Sequence, residues 1–533
     1  MIIWLQGPSG GGKSTVGRFL AQLRGVPFLD LDKQIEAEAG KSILDIFWHD
    51  GETAFRRMEW NVLLRIMESA PGPTVIALGG GAVADPAIRS MIRESGIRIF
   101  LDVDATTAIE RLQGGEPRPL LFEEDPLLAW KRLYRQRLGW YQEAELTIQS
   151  DAPPEAIAER LNHQINQLME PAWHIQTEPN GERCSITGYA ALPPLVRRLR
   201  QLAAGRKVAL VMDAAVAQLY HDHLGLDDGS EHLVLRIEAT EESKSFKIVE
   251  EFARALVAGG FTRDSLMVGI GGGVATDVAG FLASIFMRGI GCAYVSTTLL
   301  GQVDAAIGGK TAINVGGIRN LVGTIRQPSE VLVCGAFLRS LPVRELRSGF
   351  VEALKMGIAN SAELARAVAL AAPAILHGEI PAILDEVIRQ SIATKIDVVE
   401  RDTFDASLRM SLNLGHTFGH ALEGSAPGIY AHGEAVAFGL IAAAEMSHAV
   451  GSITSDRCDE IASAALPFTL RAAPIPPVER MIRAMRSDKK RAGSGIRFVL
   501  PTQQVGVQLF DTDEVAIIQH AVRRAAERME AGG

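Results

Sequence analysis

The chain has 533 residues, 47% of them apolar and 22% charged. It is therefore a foldable globular protein, too long for a single core, and about three or four structural units are expected. A net charge of −9 excludes a broad nucleic-acid surface, so any anionic ligand must be met by local clusters of Lys and Arg. No apolar stretch of membrane-spanning length occurs, since Ala435 to Val450 is interrupted by Glu445 and His448. Cys184, Cys292, Cys334 and Cys458 form no C-x-x-C and read as reduced thiols of a cytoplasmic protein. The first residues run straight into a strand and a phosphate loop, which leaves no room for a signal peptide.

Ile2-Ile3-Trp4-Leu5 reads as a buried strand. It leads into Gly7-Pro8-Ser9-Gly10-Gly11-Gly12-Lys13-Ser14-Thr15, which satisfies G-x-x-x-x-G-K-[ST]. In such a loop backbone N–H groups wrap phosphate oxygens, Lys13 reaches the outer phosphates, Ser14 ligates Mg²⁺, and the helix expected from Thr15 to Arg24 adds its positive end. Phe28-Leu29-Asp30-Leu31-Asp32 predicts a second strand ending in two carboxylates at the ligand crevice of a parallel sheet. Asp30 and Asp32 suit a metal-bound water and a hydroxyl acceptor; a capping pair is the alternative. Arg56, Arg118 and Arg137 can each clamp a carboxylate bidentately, although each taken alone reads first as a solvated surface arginine.

The order of these motifs resembles shikimate kinase over residues 1–169. The resemblance implies that ATP and Mg²⁺ sit on Gly10, Gly11, Gly12, Lys13, Ser14, Thr15 and Asp30. Asp32, Arg56, Gly80 and Arg137 would hold shikimate, with Lys13, Asp32 and Arg118 serving the transfer. Arg118 would ride on a lid from Gln113 to Glu124, hinged at Gly114 and Gly115. The chain departs from the family at Arg137-Leu138-Gly139-Trp140-Tyr141, where Arg-Ala-Pro-Leu-Tyr is usual.

Residues 170–182 carry Pro171, Pro179, Asn180 and Gly181 and read as a linker. Beyond it, a strand from Val208 to Met212 ends in Asp213, a helix spans Phe252 to Val257, and a strand from Leu266 to Ile270 runs into Gly271-Gly272-Gly273. Alternating strands and helices predict a parallel, doubly wound sheet over 183–338. The glycine run fails G-x-G-x-x-G at Val274, so by itself it is a dinucleotide loop or a plain tight turn. Arg288-Gly289, Thr297-Thr298, Asp304, Gly309-Lys310-Thr311 and Arg319-Asn320 add the cations, hydroxyls and glycines that a phosphate-bearing ligand calls for.

From 339 to 533 the composition turns helical and alanine-rich. Glu352 and Lys355 share a helical face, in isolation a surface ion pair. Lys395, Arg409 and Asn413 lead into His416-Thr417-Phe418-Gly419-His420, and His432-Gly433-Glu434 follows a break at Gly424, Pro427 and Gly428. Spacing nominates His416 and His420 as a metal pair on one helical face, with core or surface histidines as the alternative.

From Asp213 to Lys490 the chain closely resembles 3-dehydroquinate synthase, in G-G-G-V-x-x-D, T-T-L-L, V-D, G-G-K-T, N-L-G-H-x-x-G-H-A and H-G-E. The two resemblances together imply an N-terminal P-loop kinase with a parallel sheet, a Rossmann-like α/β NAD-binding domain, and a mainly α-helical metal-binding domain. Zinc, or another divalent transition metal, would be held by Glu352, His416 and His432, with His420 turned to the substrate. NAD would meet Asp213, Glu241, Lys244, Gly272, Gly273, Asp277, Thr297 and Thr298, with Asp304, Lys310 and Arg319 beside it. A heptulosonate phosphate would meet Asp304, Lys310, Asn320, Lys355, Lys395, Arg409, Asn413, His420 and Lys489. Arg288 would reach it across a homodimer built through this half. Arg319 stands where the family has Lys, Asp405 where it has Glu, and Ser407 where it has Gly. The competing expectations are an alcohol dehydrogenase of the same architecture joined to a kinase, and a kinase unit reduced to nucleotide sensing.

Overall fold

The computed structural model describes residues 2–69, 72–113, 125–224, 232–404, 408–470, 473–487 and 495–531. The chain gathers into two compact units, residues 1–171 with 191–198 and 222–224, and residues 172–190, 199–221 and 225–533.

The first unit is built on five parallel strands: β1 (Ile2–Gln6), β2 (Phe28–Asp30), β3 (Thr74–Ala77), β4 (Gly96–Asp102) and β5 (Leu146–Gln149), in the order β2-β3-β1-β4-β5. Continuous apolar runs are what such a sheet needs, because helices cover both faces. Trp4, Ile76, Phe100 and Tyr141 fill one core, and Leu5, Val75, Ile99 and Leu161 fill the other. The chain reverses its winding direction around β1, and the loops leaving β1 and β3 form the crevice where ligands bind in open α/β sheets.

The second unit holds a seven-stranded sheet: β6 (Trp173–Thr177), β7 (Cys184–Tyr189), β8 (Val208–Asp213), β9 (His232–Ile237), β10 (Leu266–Gly271), β11 (Gly291–Ser296) and β14 (Glu330–Cys334). The order is β6-β7-β14-β11-β10-β8-β9, parallel except for β6. A hairpin, β12 (Lys310–Val315) and β13 (Ile318–Ile325), turns on Gly316-Gly317, both at positive φ, 61 and 77°, a two-residue turn that matches strand twist. The unit boundary at Pro171/Ala172 falls within the expected linker, which also contains a strand. Trp173–Thr177 pairs antiparallel with Cys184–Tyr189 and forms the sheet edge.

From Val343 onward the unit is mainly helical and ends in a hairpin, β15 (Ile496–Pro501) with β16 (Val507–Thr512), under the helix Val515–Ala531. The helix His432–Ala449 is buried along most of its length. Its one mid-helix acid, Glu445, is satisfied by Arg528, which also meets Asp459 at 2.6 Å. No helix among the described residues is long and apolar enough to cross a membrane.

Candidate active sites

In the first unit the phosphate loop turns directly into a helix at Lys13, two residues before the expected start. Gly10 sits at φ 81°, and a Cβ there would meet the Ala108 carbonyl oxygen at 2.5 Å, so only glycine fits. Lys13 Nζ donates to the carbonyls of Gly7 and Pro8 at 2.8 and 2.9 Å, across the mouth of the loop. Ser14 Oγ donates to Asp30 Oδ2 at 2.5 Å. Asp30 also caps the helix Leu31–Ala39, the alternative that its spacing offered. Strand β2 stops at Asp30, and Asp32 lies in the first helical turn rather than in the strand as expected. Gly11 and Gly12 complete the loop, and Thr15 is exposed on its helix.

Gly79–Gly81, leaving β3, is the meeting point of the acceptor-side residues. Arg137 Nη1 donates to Gly80 O at 3.0 Å. Arg56 Nη2 lies 2.3 Å from where a Gly81 Cβ would stand. A Cβ on Gly79 would fall 2.8 Å from Asp32 Oδ1 and 3.0 Å from Glu59 Oε1. Glu59 is absent from the sequence reading. It is fully buried, accepts from Arg56 Nη1 at 2.7 Å through Oε2, and leaves Oε1 without a hydrogen bond. Burial pushes its carboxyl above the usual range, against the pull of Arg56. In sequence it looked like the i+3 partner of a solvated arginine, and only its burial distinguishes it. The helix carrying Arg137, Pro126–Tyr141, is tied to the loop by Trp130 Nε1 donating to Ser9 O at 2.9 Å. Arg118 and the expected lid beyond Gln113 lie outside the described residues.

In the second unit the winding switches between β8 and β10. Their carboxyl ends bring Asp213, Gly271 and Thr298 together: a Cβ on Gly271 would lie 3.0 Å from Asp213 Cβ, and one on Gly272 2.9 Å from Thr298 Cγ2. Gly273 opens the helix Gly273–Ile285, and the hydroxyl of buried Thr297 has no hydrogen-bond partner. Lys244 Nζ donates to Asp277 Oδ2 at 2.6 Å and to Asn320 Oδ1 at 2.5 Å. Glu241 accepts from Asn314 Nδ2 at 2.9 Å. Arg319, expected beside these residues, instead turns to another helix, its Nη1 donating to Glu423 Oε1 at 3.2 Å. Burial raises the Asp277 carboxyl to about 6, against the opposing charge of Lys244.

The cation cluster is next. Asp304 lies in a π-helical turn, Gly301–Ala305, a feature frequent at functional sites. Its backbone oxygen accepts from Lys395 Nζ at 2.6 Å and its carboxylate accepts from the same ammonium. Burial pulls Lys395 below its usual range, with Asp304 opposing. Arg409 is buried and donates to Gly308 O at 3.1 Å and Thr403 O at 2.8 Å. Arg409 and Asn413 lie in the 3₁₀ turn Leu408–Asn413, not on a continuous helix with Lys395. Lys310 and Arg288 are exposed, Arg288 in a turn at φ 64°. Asp405, Ser407 and Lys489 lie outside the described residues.

Glu352 and Lys355, a surface pair if judged by spacing alone, are fully buried on the helix Val343–Asn360 and hydrogen-bonded to each other. Glu352 Oε1 has no hydrogen bond, yet His416 Nε2 and His432 Nε2 face it at 3.7 and 3.3 Å. Donor atoms of these three residues lie within 4.8 Å of one another. A fully buried carboxylate oxygen with two imidazole nitrogens turned toward it is the donor set of a transition-metal site with room for further ligands. Burial would raise the Glu352 carboxyl, but Lys355 and the two imidazoles hold it well below the carboxylate range. Burial and Lys355 push His416 well below its usual value, so its lone pair stays available. Burial would lower His432 as well, but the facing carboxylates of Glu352 and Glu423 raise it to about 10.

His416 and His420 do share a helical face, with ring centroids 5.1 Å apart. Among the described residues no third donor closes on that pair; the second group of donors is His420, Glu423 and His432. His432 is placed by a clamp between its helix and the Glu352 helix. Gly433 N donates to Ser348 Oγ at 2.8 Å. Arg344 grips both oxygens of Glu434, at 2.9 and 2.7 Å, and Glu434 accepts from Ala431 N at 2.8 Å.

Shikimate kinase matches residues 9–166, 3-dehydroquinate synthase N-terminal matches 234–348, and 3-dehydroquinate synthase C-terminal matches 349–491. The 3-dehydroquinate synthase of Acidithiobacillus ferrooxidans is 41% identical over 300 residues, 55% of this chain and 82% of its own length. The bifunctional shikimate kinase/3-dehydroquinate synthase of Thermotoga maritima is 29% identical over 526 residues, 97% of this chain and 99% of its own. Among solved structures, the 2-epi-5-epi-valiolone synthase of Streptomyces hygroscopicus, with NAD⁺ and Zn²⁺ bound, is 25% identical with a TM-score of 0.59, covering 64% of this chain and 96% of its own. The chain belongs to the 3-dehydroquinate synthase family and carries a shikimate kinase unit ahead of it, a fusion of two enzymes of the shikimate pathway.

Proposed function

We propose that residues 1–169 phosphorylate shikimate to shikimate 3-phosphate with ATP and Mg²⁺. We propose that residues 183–338 and 339–533 together convert 3-deoxy-D-arabino-heptulosonate 7-phosphate to 3-dehydroquinate with NAD and zinc, releasing phosphate. What carries the second reading is the buried Glu352 oxygen facing two imidazoles, next to the ammonium of Lys355 and within one unit with Lys395 and Arg409. The related valiolone synthase that holds NAD⁺ and Zn²⁺ supports the choice of cofactors.

In the kinase unit, Arg56 and Arg137 clamp the shikimate carboxylate, because a planar guanidinium makes two charge-assisted bonds. Asp32 orients the acceptor hydroxyl and takes up its proton. Lys13, Ser14 and Asp30 hold the nucleotide phosphates and their cation, and Arg118 contributes from the lid. In the synthase unit, Glu352, His416 and His432 hold the metal. When bound, the metal would supply Lewis acidity toward a substrate hydroxyl, and the coenzyme would supply a reversible hydride acceptor. Lys310, Lys355, Lys395 and Arg409 bind phosphate and carboxylate, Asp304 and Asn413 orient hydroxyls, and His420 handles a proton on the substrate.

A homodimer through this half is supported by exposed apolar side chains flanking Arg288, namely Ile285 and Met287, and along β13, namely Ile318, Leu321 and Ile325. Four buried cysteines outside any disulfide fit a cytoplasmic setting. The test assays both reactions on the purified chain with and without a chelator. Phosphate release that needs metal and NAD without net NADH is expected. Accumulating NADH would instead identify a dehydrogenase.

A further inference from the structure

Arg319 stands on β13 and pairs outside its own hairpin. Its guanidinium reaches Glu423, whose two oxygens face in different directions. Oε1 accepts from Arg319 Nη1 at 3.2 Å, and Oε2 lies 3.3 Å from His432 Nδ1. Glu423 is a tenth exposed and shares the helix His416–Ser425 with His416, seven residues on and so on nearly the same face.

The two nitrogens of His432 then have separate duties. Nε2 faces Glu352, so its lone pair must be free if His432 is a metal ligand. The ring proton therefore sits on Nδ1, and Glu423 Oε2 is the acceptor placed to receive it. A carboxylate in that position fixes tautomer and ring rotation and makes the imidazole a stronger donor. His416 has only a backbone acceptor in the equivalent place, Leu414 O at 3.3 Å from its Nδ1. Arg319 is itself placed by its neighbour. Asn320 is held at φ 51°, its N donating to Asn314 Oδ1 at 2.8 Å and its Oδ1 taking Lys244 Nζ at 2.5 Å. A left-handed asparagine persists only where the surroundings hold it there, and it aims residue 319 out of the hairpin toward the helix.

We propose that Glu423 is the positioning residue of His432 and that Arg319 acts through Glu423, so that the β12–β13 hairpin tunes the metal site. This rests on the reading of Glu352, His416 and His432 as the ligands. Arg319 is 59% exposed, so its share is small and salt-sensitive, whereas that of Glu423 is large.

The test titrates the metal-free full chain with zinc against a chromophoric chelator, and records the visible spectrum with cobalt in its place. Glu423→Ala should weaken zinc by about 10–100-fold, with Glu423→Gln less affected, since the amide oxygen still accepts. Arg319→Ala should weaken it by roughly 2–10-fold at low ionic strength and less at high, and Arg319→Lys should recover part of that. In a Glu423→Ala background, Arg319→Ala should add nothing. Unfolding of the metal-free proteins monitors folding. Wild-type zinc affinity and cobalt spectrum in Glu423→Ala, with zinc lost from His432→Ala, overturn the proposal and leave the ligand assignment standing. Zinc retained by His432→Ala overturns that assignment itself. Zinc lost from both His420→Ala and Glu423→Gln but kept by Glu352→Gln places the ion on the second donor group and also overturns the proposal. An Arg319 effect that survives loss of Glu423 refutes the relay.

Discussion

One methyl group at Gly433 should separate the metal ligands. Gly433 stands beside His432 and packs on the helix of Glu352: a Cβ there would lie 2.3 Å from Ser348 Cα, 2.6 Å from Ser348 O and 2.8 Å from Ser348 Oγ. Ser348 and Glu352 are one helical turn apart, so what displaces one displaces the other. Contacts of a real Cβ begin at 3.0 Å and become ordinary at 3.4 Å. Gly433→Ala must therefore push the two helices apart by 0.7 to 1.1 Å (3.0 or 3.4 minus 2.3) along that line. Zinc sites tolerate ligand distances within about 0.2 Å. Overpacking costs about 1–3 kcal/mol, and alanine returns up to about 1 kcal/mol of helix propensity, so the fold survives. Zinc affinity should fall by at least about 100-fold, some 2.7 kcal/mol. Chelator competition measures the affinity, and thermal unfolding of the metal-free protein checks the fold. A Gly433→Ala protein that binds zinc as the wild type does would refute the idea that the approach of these helices sets the ligand geometry.

Removing His432 should empty the metal site and abolish synthase turnover together, whereas His420→Ala should keep near-stoichiometric zinc and lose turnover; elemental analysis of both proteins decides, and the reverse pattern returns the site to the His416/His420 pair. In the kinase unit, Glu59→Ala should raise the KM for shikimate by about 10-fold or more and leave that for ATP unchanged, since a charged hydrogen bond to Arg56 contributes about 1.5–3 kcal/mol; an unchanged KM sinks the assignment of Arg56 and Glu59 to the acceptor site. The Asp277 carboxyl, raised by burial to about 6 from 3.8, favours the folded state when protonated, so its contribution is full at low pH and is lost as pH rises through about 6. Relative to Asp277→Asn, the wild type should therefore gain about 2 kcal/mol between pH 7 and pH 4.5 in denaturant unfolding, and a gap that stays flat with pH rules this out.

The phosphate loop was readable because it is local: strand, glycines and helix follow one another in a single stretch, and the error was confined to where the helix begins. The two glycine-led crevices were likewise visible as motifs at strand ends. Glu59 and Glu423 were not. Each lies three residues from a named site residue, Arg56 and His420, and a carboxylate at that spacing on a helix is ordinary surface chemistry until burial is known. The donor geometry around Glu352 was out of reach for the same reason, since it joins the helix Val343–Asn360 to two consecutive helices, His416–Ser425 and His432–Ala449, much later in the chain. The misread stretch at 170–182 did carry a signal. Trp173-His174-Ile175-Gln176-Thr177 alternates as an edge strand should, but Pro171 and Pro179-Asn180-Gly181 on either side drew the reading toward a loop.

That strand has a practical consequence for dissecting the protein. Trp173 fills the space above Gly188, where a Cβ would come within 2.0 Å of its ring, and its Nε1 meets Asp385 at 3.2 Å. Thr177 Oγ1 donates to Glu400 at 2.6 Å. Asp385 and Glu400 bracket Lys395 on the helix Leu384–Arg401. The segment that appears expendable between two enzymes is thus a brace for the helix that carries a substrate cation. A stand-alone synthase should begin no later than Ala172. One trimmed to residue 183 would bare the edge of β7, invite strand-to-strand aggregation, and release that helix at both ends.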